Sequence, residues 1–330
     1  MNSTPDVSVV LSVRNGGSDL PNAVQSILAQ TFTNFELIAI NNGSVDGTAA
    51  YLDSITDPRV RVFHQADAGL AAAINHGISL ARGRYIARQD HDDLADPSRI
   101  AKQVSFLDAH PEHALVGTRA EIWVGDRPSG RFHDHPTEDS ELRFALLFTN
   151  YFVHSSVMMR KAALDEVGVY STDRSRQPPE DYELWSRIAR RFRVANLPER
   201  LTVYREVPTS MSREGVDPFK ERLILISAEN FAAATGAVPL QRIHLDIASL
   251  VHDAPERMSK SANIDAMCAV LAEAGEAIFG KRSFDAADDP VVLRSRHLRR
   301  RFFVYKYHLY GVRRVLGRVK TVLRRFRLPV

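Results

Sequence analysis

With 330 residues, of which 44% are hydrophobic and 25% charged, the chain is long enough for one large domain or a domain with an extension, and its composition excludes a disordered or fibrous protein. A single cysteine, Cys268, excludes an internal disulfide, so packing alone must hold the core and a reducing compartment is expected. The net charge of +3 hides a split: thirteen of the 43 lysines and arginines follow position 293 with no acidic residue among them, leaving 30 basic against 40 acidic residues before it. An acidic body with a basic tail points the tail at something anionic. The start, MNSTPDVSVV, lacks the basic opening of a signal peptide, and no run approaches the ~18 apolar residues of a membrane span.

Val7–Val13 is a β-branched apolar run ending in Arg14-Asn15-Gly16-Gly17, which predicts a buried strand and a turn. Ser18 or Asp19 then opens a helix to about Gln30. Phe35–Ile40 is a second strand that stops at Asn41-Asn42-Gly43-Ser44, with a helix following from Asp46. Val60–Phe63, the helix Ala68–Leu80, the strand Tyr85–Arg88 and the helix Pro97–His110 continue the alternation. This spacing predicts βαβ units and a mostly parallel sheet, in which ligands bind beyond the carboxyl ends of the strands. There the polar residues gather: Ser12 to Asn15, Asn41 to Ser44 and Asp90 to Asp93. Leu115–Thr118 and Phe152–Arg160 read as strands, Gly125–Pro136 as a mobile turn-rich loop, Lys161–Val167 and Tyr182–Arg191 as helices. From about Phe219 the pattern is helical.

Asp90, Asp92 and Asp93 at a strand end are either solvated loop charges or a site for a hard cation, since Mg²⁺ or Mn²⁺ takes carboxylate oxygens together with substrate phosphates. Glu180-Asp181 follows Pro178-Pro179 at a helix start; the pair either caps the helix or supplies a general base. His154 reads as a structural histidine or a phosphate contact, Arg99 and Lys102 as solvated or paired with the aspartates, and His133 and His135 as surface-loop residues or, alternatively, phosphate contacts.

The ordered set VSVVLSVRN (7–15), SILAQTFTNFE (26–36), NNGSVDGT (41–48), GLAAAINHG (69–77), the DHDD core within 83–99, HSSVMMRK (154–161) and EDYELW (180–185) resembles the family 2 glycosyltransferases of GT-A fold over about residues 5–210. The resemblance implies a Rossmann-like α/β fold, a mostly parallel sheet flanked by helices, and inverting transfer of a sugar from a nucleotide-diphosphate donor, a UDP-sugar favoured. Carried over by position, Asp92 is the principal ligand of a Mn²⁺ or Mg²⁺ ion, with Asp90 and Asp93 beside it. Ser12, Arg14 and Asn42, with Asp90, His91 and Asp92, contact the nucleotide sugar. Asp181 is the catalytic base and Glu180 orients it or meets the acceptor. The family commonly has Asp-Asp where this chain has Asn41-Asn42, and an aromatic where it has Arg14.

From Leu298 apolar residues recur every three or four positions through Phe302, Tyr305, Leu309, Val312, Leu316, Val319, Leu323 and Phe326, with arginines and lysines between them. Such a helix is expected to lie on a membrane or to pack on protein; nucleic acid is excluded as a partner by the acidic body. The expected organisation is a catalytic domain over 1–215, a helical extension over 216–293 and a basic amphipathic tail over 294–330. The expected setting is the cytoplasmic face of a membrane, in polysaccharide or glycolipid synthesis on a saccharide or lipid-linked acceptor. A sugar-phosphate nucleotidyltransferase and an inactive nucleotide-sugar-binding protein are the rival readings.

Overall fold

The computed structural model describes residues 4–206, 217–280 and 288–325, with side chains described as far as Tyr307 and not for Asp217 or Pro218. The chain divides into two compact units, Met1–Arg222 and Leu223–Val330. The first opens with β1 (Val7–Val13), α1 (Leu20–Leu28), β2 (Phe35–Asn42), α2 (Thr48–Asp53), β3 (Val60–Gln65), α3 (Leu70–Leu80) and β4 (Tyr85–Gln89). The strands pair in parallel in the order β3-β2-β1-β4. Every residue of β1, β2 and β4 is buried, as expected of strands covered on both faces. Alternation along β1 sends Val7, Val9, Leu11 and Val13 into one core cluster with Leu20, Val24 and Ile27 of α1. Val10 points the other way, toward α3, which comes so close that a Cβ on Gly77 would lie 2.5 Å from Val10 Cγ1.

The sheet continues through β5 (Leu94–Ala95), β6 (His113–Val124), β7 (Arg127–His133), β8 (Met158–Arg160) and β9 (Arg193–Glu206), interspersed with α4 (Arg99–Ala109), α5 (Asp139–Ala145), α6 (Lys161–Val167) and α7 (Glu180–Ala189). Beyond β4 the order is β8-β6-β9-β5, so among the described residues nine strands make one sheet, with β7 attached to β6 alone. Here β8 runs antiparallel to both neighbours, while β6 and β9 are parallel.

Three expectations change. Gly125–Pro136 is not a mobile loop: Arg127–His133 forms β7, and Pro128 is tolerated because this strand lies at an edge, where no ladder bond is lost on its free side. Phe152–Arg160 is only partly extended, since His154–Ser156 form a 3₁₀ turn ahead of β8. The strand read as Leu115–Thr118 runs from His113 to Val124, and β9 was not foreseen.

In the second unit α8 (Asp217–Ala234), which starts before the boundary, leads to α9 (Arg242–Val251), α10 (Ile264–Phe279) and α11 (Pro290–Arg325). Asn263 caps α10 by accepting from the amides of Asp265 and Ala266 at 2.8 and 3.2 Å. The first turns of α11 pack within the unit, burying Leu298 and Phe302, while Arg299 pairs with Asp265 at 2.5 Å and Arg301 with Asp253. The side chains of Leu309, Val312, Leu316, Val319 and Leu323, and all of Phe326, lie outside the described residues. Among the described residues no helix is long and apolar enough to cross a membrane.

Candidate active site

The loops leaving β1 and β2 are fastened together. Asn15, in the left-handed region at φ 56°, donates its amide to Ser44 Oγ (2.9 Å) and accepts from Val45 N (2.9 Å). Gly16 N donates to Thr48 Oγ1 (2.9 Å) and Gly17 N to Asp46 Oδ2 (3.2 Å). At the end of β2, Asn42 Oδ1 accepts from Gln65 Nε2 (2.9 Å) and Ala68 N (3.0 Å), and Asn42 Nδ2 donates to Asp67 Oδ1 (3.2 Å). The other oxygen of Asp67 meets Arg14 Nη1 at 2.8 Å. Arg14 and Asn42 are thus joined through Asp67, a residue beyond β3 that the sequence reading had not singled out. Ser12 is buried and makes no side-chain hydrogen bond to another described residue.

The aspartates after β4 differ sharply from one another. Asp90 receives the Nη2 of Arg88, which is itself fully buried in β4, and accepts from Ser155 Oγ at 2.8 Å. Burial raises the Asp90 pKa, but Arg88, His154 and Ser155 outweigh it and hold the carboxyl below its ordinary range. Asp93, 2% exposed, is turned inward: Arg205 N donates to Oδ1 at 2.8 Å, and Oδ2 lies against Ser155 Oγ, whose single hydrogen is shared between Asp93 and Asp90. Burial and the charges of Asp92 and Asp90 push its pKa well up. Asp92 is half-buried and makes no hydrogen bond or ion pair to another described residue; burial and then Asp90 raise its pKa. His91 stands beside it, and its charge favours the ionised form of both Asp90 and Asp92.

Arg99 is not solvated: it is fully buried, donates to the carbonyls of Ser155 and Arg88, and burial lowers its pKa to about 10 against the pull of Asp93. Lys102 pairs instead with Glu199 at 3.2 Å on the surface. His154 hydrogen-bonds Tyr170 Oη through Nε2 (2.9 Å) with Nδ1 3.8 Å from Asp90, and burial followed by Arg88 lowers its pKa to about 4.

At the start of α7, Asp181 Oδ2 accepts from Asn150 Nδ2 at 2.8 Å and Oδ1 from the amide of Tyr182 at 2.6 Å. Burial, then the adjacent Glu180, raise the Asp181 pKa to about 7 despite that amide; Asp90 adds to the effect. Glu180 is 7% exposed, its pKa is raised by burial, and it feels both Asp90 and Arg88. Asp90, Glu180 and Asp181 therefore share one field.

The donor set discriminates among possible cation ligands. The oxygens of Asp90 and Asp93 are already engaged by Arg88, Ser155 and the Arg205 amide, whereas Asp92 keeps an open carboxylate under repulsion from Asp90. Among the described residues no three His, Cys, Asp or Glu side chains converge as a ready metal site. A cation would therefore rest on Asp92 and on oxygens brought by a ligand, the mode hard cations take with phosphates. Arg88, Ser155, Asn150 and Asp67 were missed by sequence reasoning. An arginine inside the apolar run YIARQ was the one available signal.

The fold is shared with solved glycosyltransferase structures. Staphylococcus aureus TarS residues 1–349, crystallised with UDP-GlcNAc, superposes with TM-score 0.59 at 16% identity, covering 83% of this chain and 81% of that one. The mannosyltransferase PcManGT of Pyrobaculum calidifontis, in complex with GDP-Man and Mn²⁺, gives 0.51 at 17% identity over 94% and 88%. In sequence, the Bacillus subtilis (strain 168) chain that bears the name glycosyltransferase EpsE is 35% identical over 237 residues, 70% of this chain and 81% of the relative. A Haemophilus influenzae glycosyltransferase is 31% identical over 216 residues, 62% and 67%. The description Glycosyl transferase family 2 matches residues 8–168. With that match, the shared fold and these relatives, the chain belongs to glycosyl transferase family 2 and is a glycosyltransferase.

Proposed function

We propose that this glycosyltransferase moves a sugar from a nucleotide-diphosphate donor to an acceptor hydroxyl with inversion, using Asp181 as general base. The observation that carries this is Asp181 itself: a carboxylate beside Glu180, held by Asn150, with its pKa raised to about 7. A base so tuned is ionised in part at neutral pH and basic enough to take a proton from a hydroxyl. Glu180 orients the acceptor next to it. Binding the donor falls to Ser12, Arg14 and Asn42, with Asp67 fixing the last two, while Asp90, His91 and Asp92 face the diphosphate. Arg14 offers a guanidinium plane and Asn42 an amide; a uracil base suits both. TarS with UDP-GlcNAc and PcManGT with GDP-Man support a nucleotide-sugar donor.

Mn²⁺ or Mg²⁺ fits the open carboxylate of Asp92, and when bound it would supply Lewis-acid neutralisation of charge on the diphosphate. Asp90 keeps its charge by pairing with Arg88, and Asp93 anchors the loop through Ser155 and the Arg205 amide. The acceptor is a saccharide or a lipid-linked saccharide of the cell surface, and the basic helix α11 brings the enzyme to the inner face of the membrane. The catalytic domain is taken as residues 1–215, the helical extension as 216–293 and the tail as 294–330.

The test incubates the full chain with Mn²⁺ and UDP-, GDP- and dTDP-sugars and follows nucleoside diphosphate release. Activity with a UDP-sugar, abolished by Asp181→Asn and by EDTA, is expected. Turnover that persists in Asp181→Asn overturns the assignment of the base, and turnover indifferent to EDTA overturns the cation.

A further inference from the structure

An open groove of about 590 Å³ lies in the second unit, against α9 and the first turns of α11, with His297, Arg300 and Val304 of its lining exposed. Its size falls within the ~300–1,000 Å³ of sites that hold organic ligands, and is more than a bare inorganic anion fills. Three lining residues, Leu250, Pro255 and Val304, are apolar. Four others, His297, Arg300, Arg301 and Tyr305, carry hydrogen-bond donors, against one acid, Asp253. Arg301 is committed: Nη1 donates to the Val251 carbonyl at 2.9 Å and Nη2 pairs with Asp253. That pairing fixes its guanidinium and cancels the acid. Arg300 has no hydrogen bond or ion pair to another described residue, so its fork is uncommitted. The local potential is positive, since burial and then Arg301, Arg294 and Arg300 disfavour the charged form of His297.

An uncommitted guanidinium beside a fixed one suits an oxyanion, carboxylate or phosphate. Among such anions a phosphate monoester, with three free oxygens and about −1.5 to −2 of charge, gains most from this positive setting, whereas a carboxylate or a phosphodiester carries one charge on two free oxygens. The apolar lining suits a ligand whose phosphate is carried on hydrocarbon. On the same helix Phe303 and Tyr307 are 60% and 76% exposed, apolar surface next to the basic residues. We propose that this groove binds a phosphate monoester borne on an apolar chain, with Arg300 as the principal ligand and Arg301 as a fixed second charge. The proposal uses no residue of the catalytic crevice and stands or falls apart from it.

The test uses the full-length protein and vesicles of phosphatidylcholine carrying either phosphatidic acid, a monoester, or phosphatidylglycerol, a diester, at matched surface charge. Flotation is expected to show about tenfold tighter binding to the phosphatidic acid vesicles, the effect of one charged hydrogen-bonding partner. Arg300→Gln should erase the preference while leaving charge-driven binding to both, with an unchanged melting temperature because Arg300 bonds to nothing in the fold. Arg296→Gln, which does not line the groove, should keep it. A second arm adds inorganic phosphate or glycerol phosphate to the protein alone. A melting temperature raised in the wild type but not in Arg300→Gln, without a vesicle preference, would support the site with a soluble phosphate ester as its ligand. Equal binding to both vesicles with no such rise, or a preference that survives Arg300→Gln, overturns the proposal.

Discussion

Replacing Asn150 by alanine tests how the proposed base is tuned. Asn150 Nδ2 donates to Asp181 Oδ2 at 2.8 Å, a bond that favours the charged carboxylate, so its loss must raise a pKa already near 7. A hydrogen bond to a charged group contributes about 1.5–3 kcal/mol, and the low end applies because Asn150 is only half-buried. At 1.36 kcal/mol per pKa unit, the acid limb of kcat/KM should move up by about one unit. Only the ionised base works, so activity rises with pH through the limb. At pH 7 the ionised fraction would fall from about one half to one tenth, a roughly fivefold loss, with the high-pH plateau retained. Asp181→Asn should instead lose about 10²–10⁴-fold at every pH. Asn150 Oδ1 also accepts from Phe152 N at 2.9 Å, so some stability is expected to go as well. That loss is indifferent to pH, and the pH profile of kcat/KM separates the two. A limb that stays in place, or an activity loss uniform across pH, would refute the coupling of Asn150 to the base.

Ser155→Ala removes the one hydroxyl shared by Asp90 and Asp93; about 3 kcal/mol of stability should be lost in urea titrations, and more Mn²⁺ should be needed for half-maximal activity. An unchanged Mn²⁺ requirement would separate the hydroxyl from the cation. Glu36 is buried, yet Arg82, Ser8 and Arg61 pull its pKa from 4.5 down to about 2. Because the folded value lies below the unfolded one, this stabilisation is present above pH 4.5 and lost as pH falls to about 2, and corresponds to about 3 kcal/mol. Glu36→Gln should lower the urea midpoint at pH 7 and flatten stability across that acid window; equal slopes in both proteins would show that the carboxylate is not responsible. Gly43 adopts φ +72°, and a Cβ there would lie 2.6 Å from the Asp67 amide, so Gly43→Ala should displace Asp67 and raise KM for the donor with kcat nearly kept.

The first half of the fold was legible because β1, β2 and β4 are largely apolar, are covered on both faces and give way to Asn, Gly or Asp within two residues, as after Val13, Asn42 and Gln89. The second half was not. RVANLPERLTVYRE mixes arginines, a proline and glutamates, and becomes β9 only through its long pairing with β6, a contact spanning some 80 residues of chain. The site shows the same divide. Carboxylates announced themselves by number, but which of them is open depends on partners far away: Ser155 for Asp90 and Asp93, and Arg205, 112 positions on, for Asp93. Spacing says nothing about which oxygen is already spoken for.

The four hydrogen bonds that fasten the loop after β1 to the loop after β2 bear on thermodynamics. The Asn15, Gly16 and Gly17 amides and the Asn15 side chain tie down both segments without any ligand. Ordering a free loop on association costs about 0.5–1.5 kcal/mol for each immobilised side chain, and that cost is met here during folding. Calorimetry of donor binding should accordingly show a modest entropic penalty and an on-rate near that of a rigid receptor. If the donor binds at these loops, as proposed, discrimination between donors comes from the shape this half of the crevice already has.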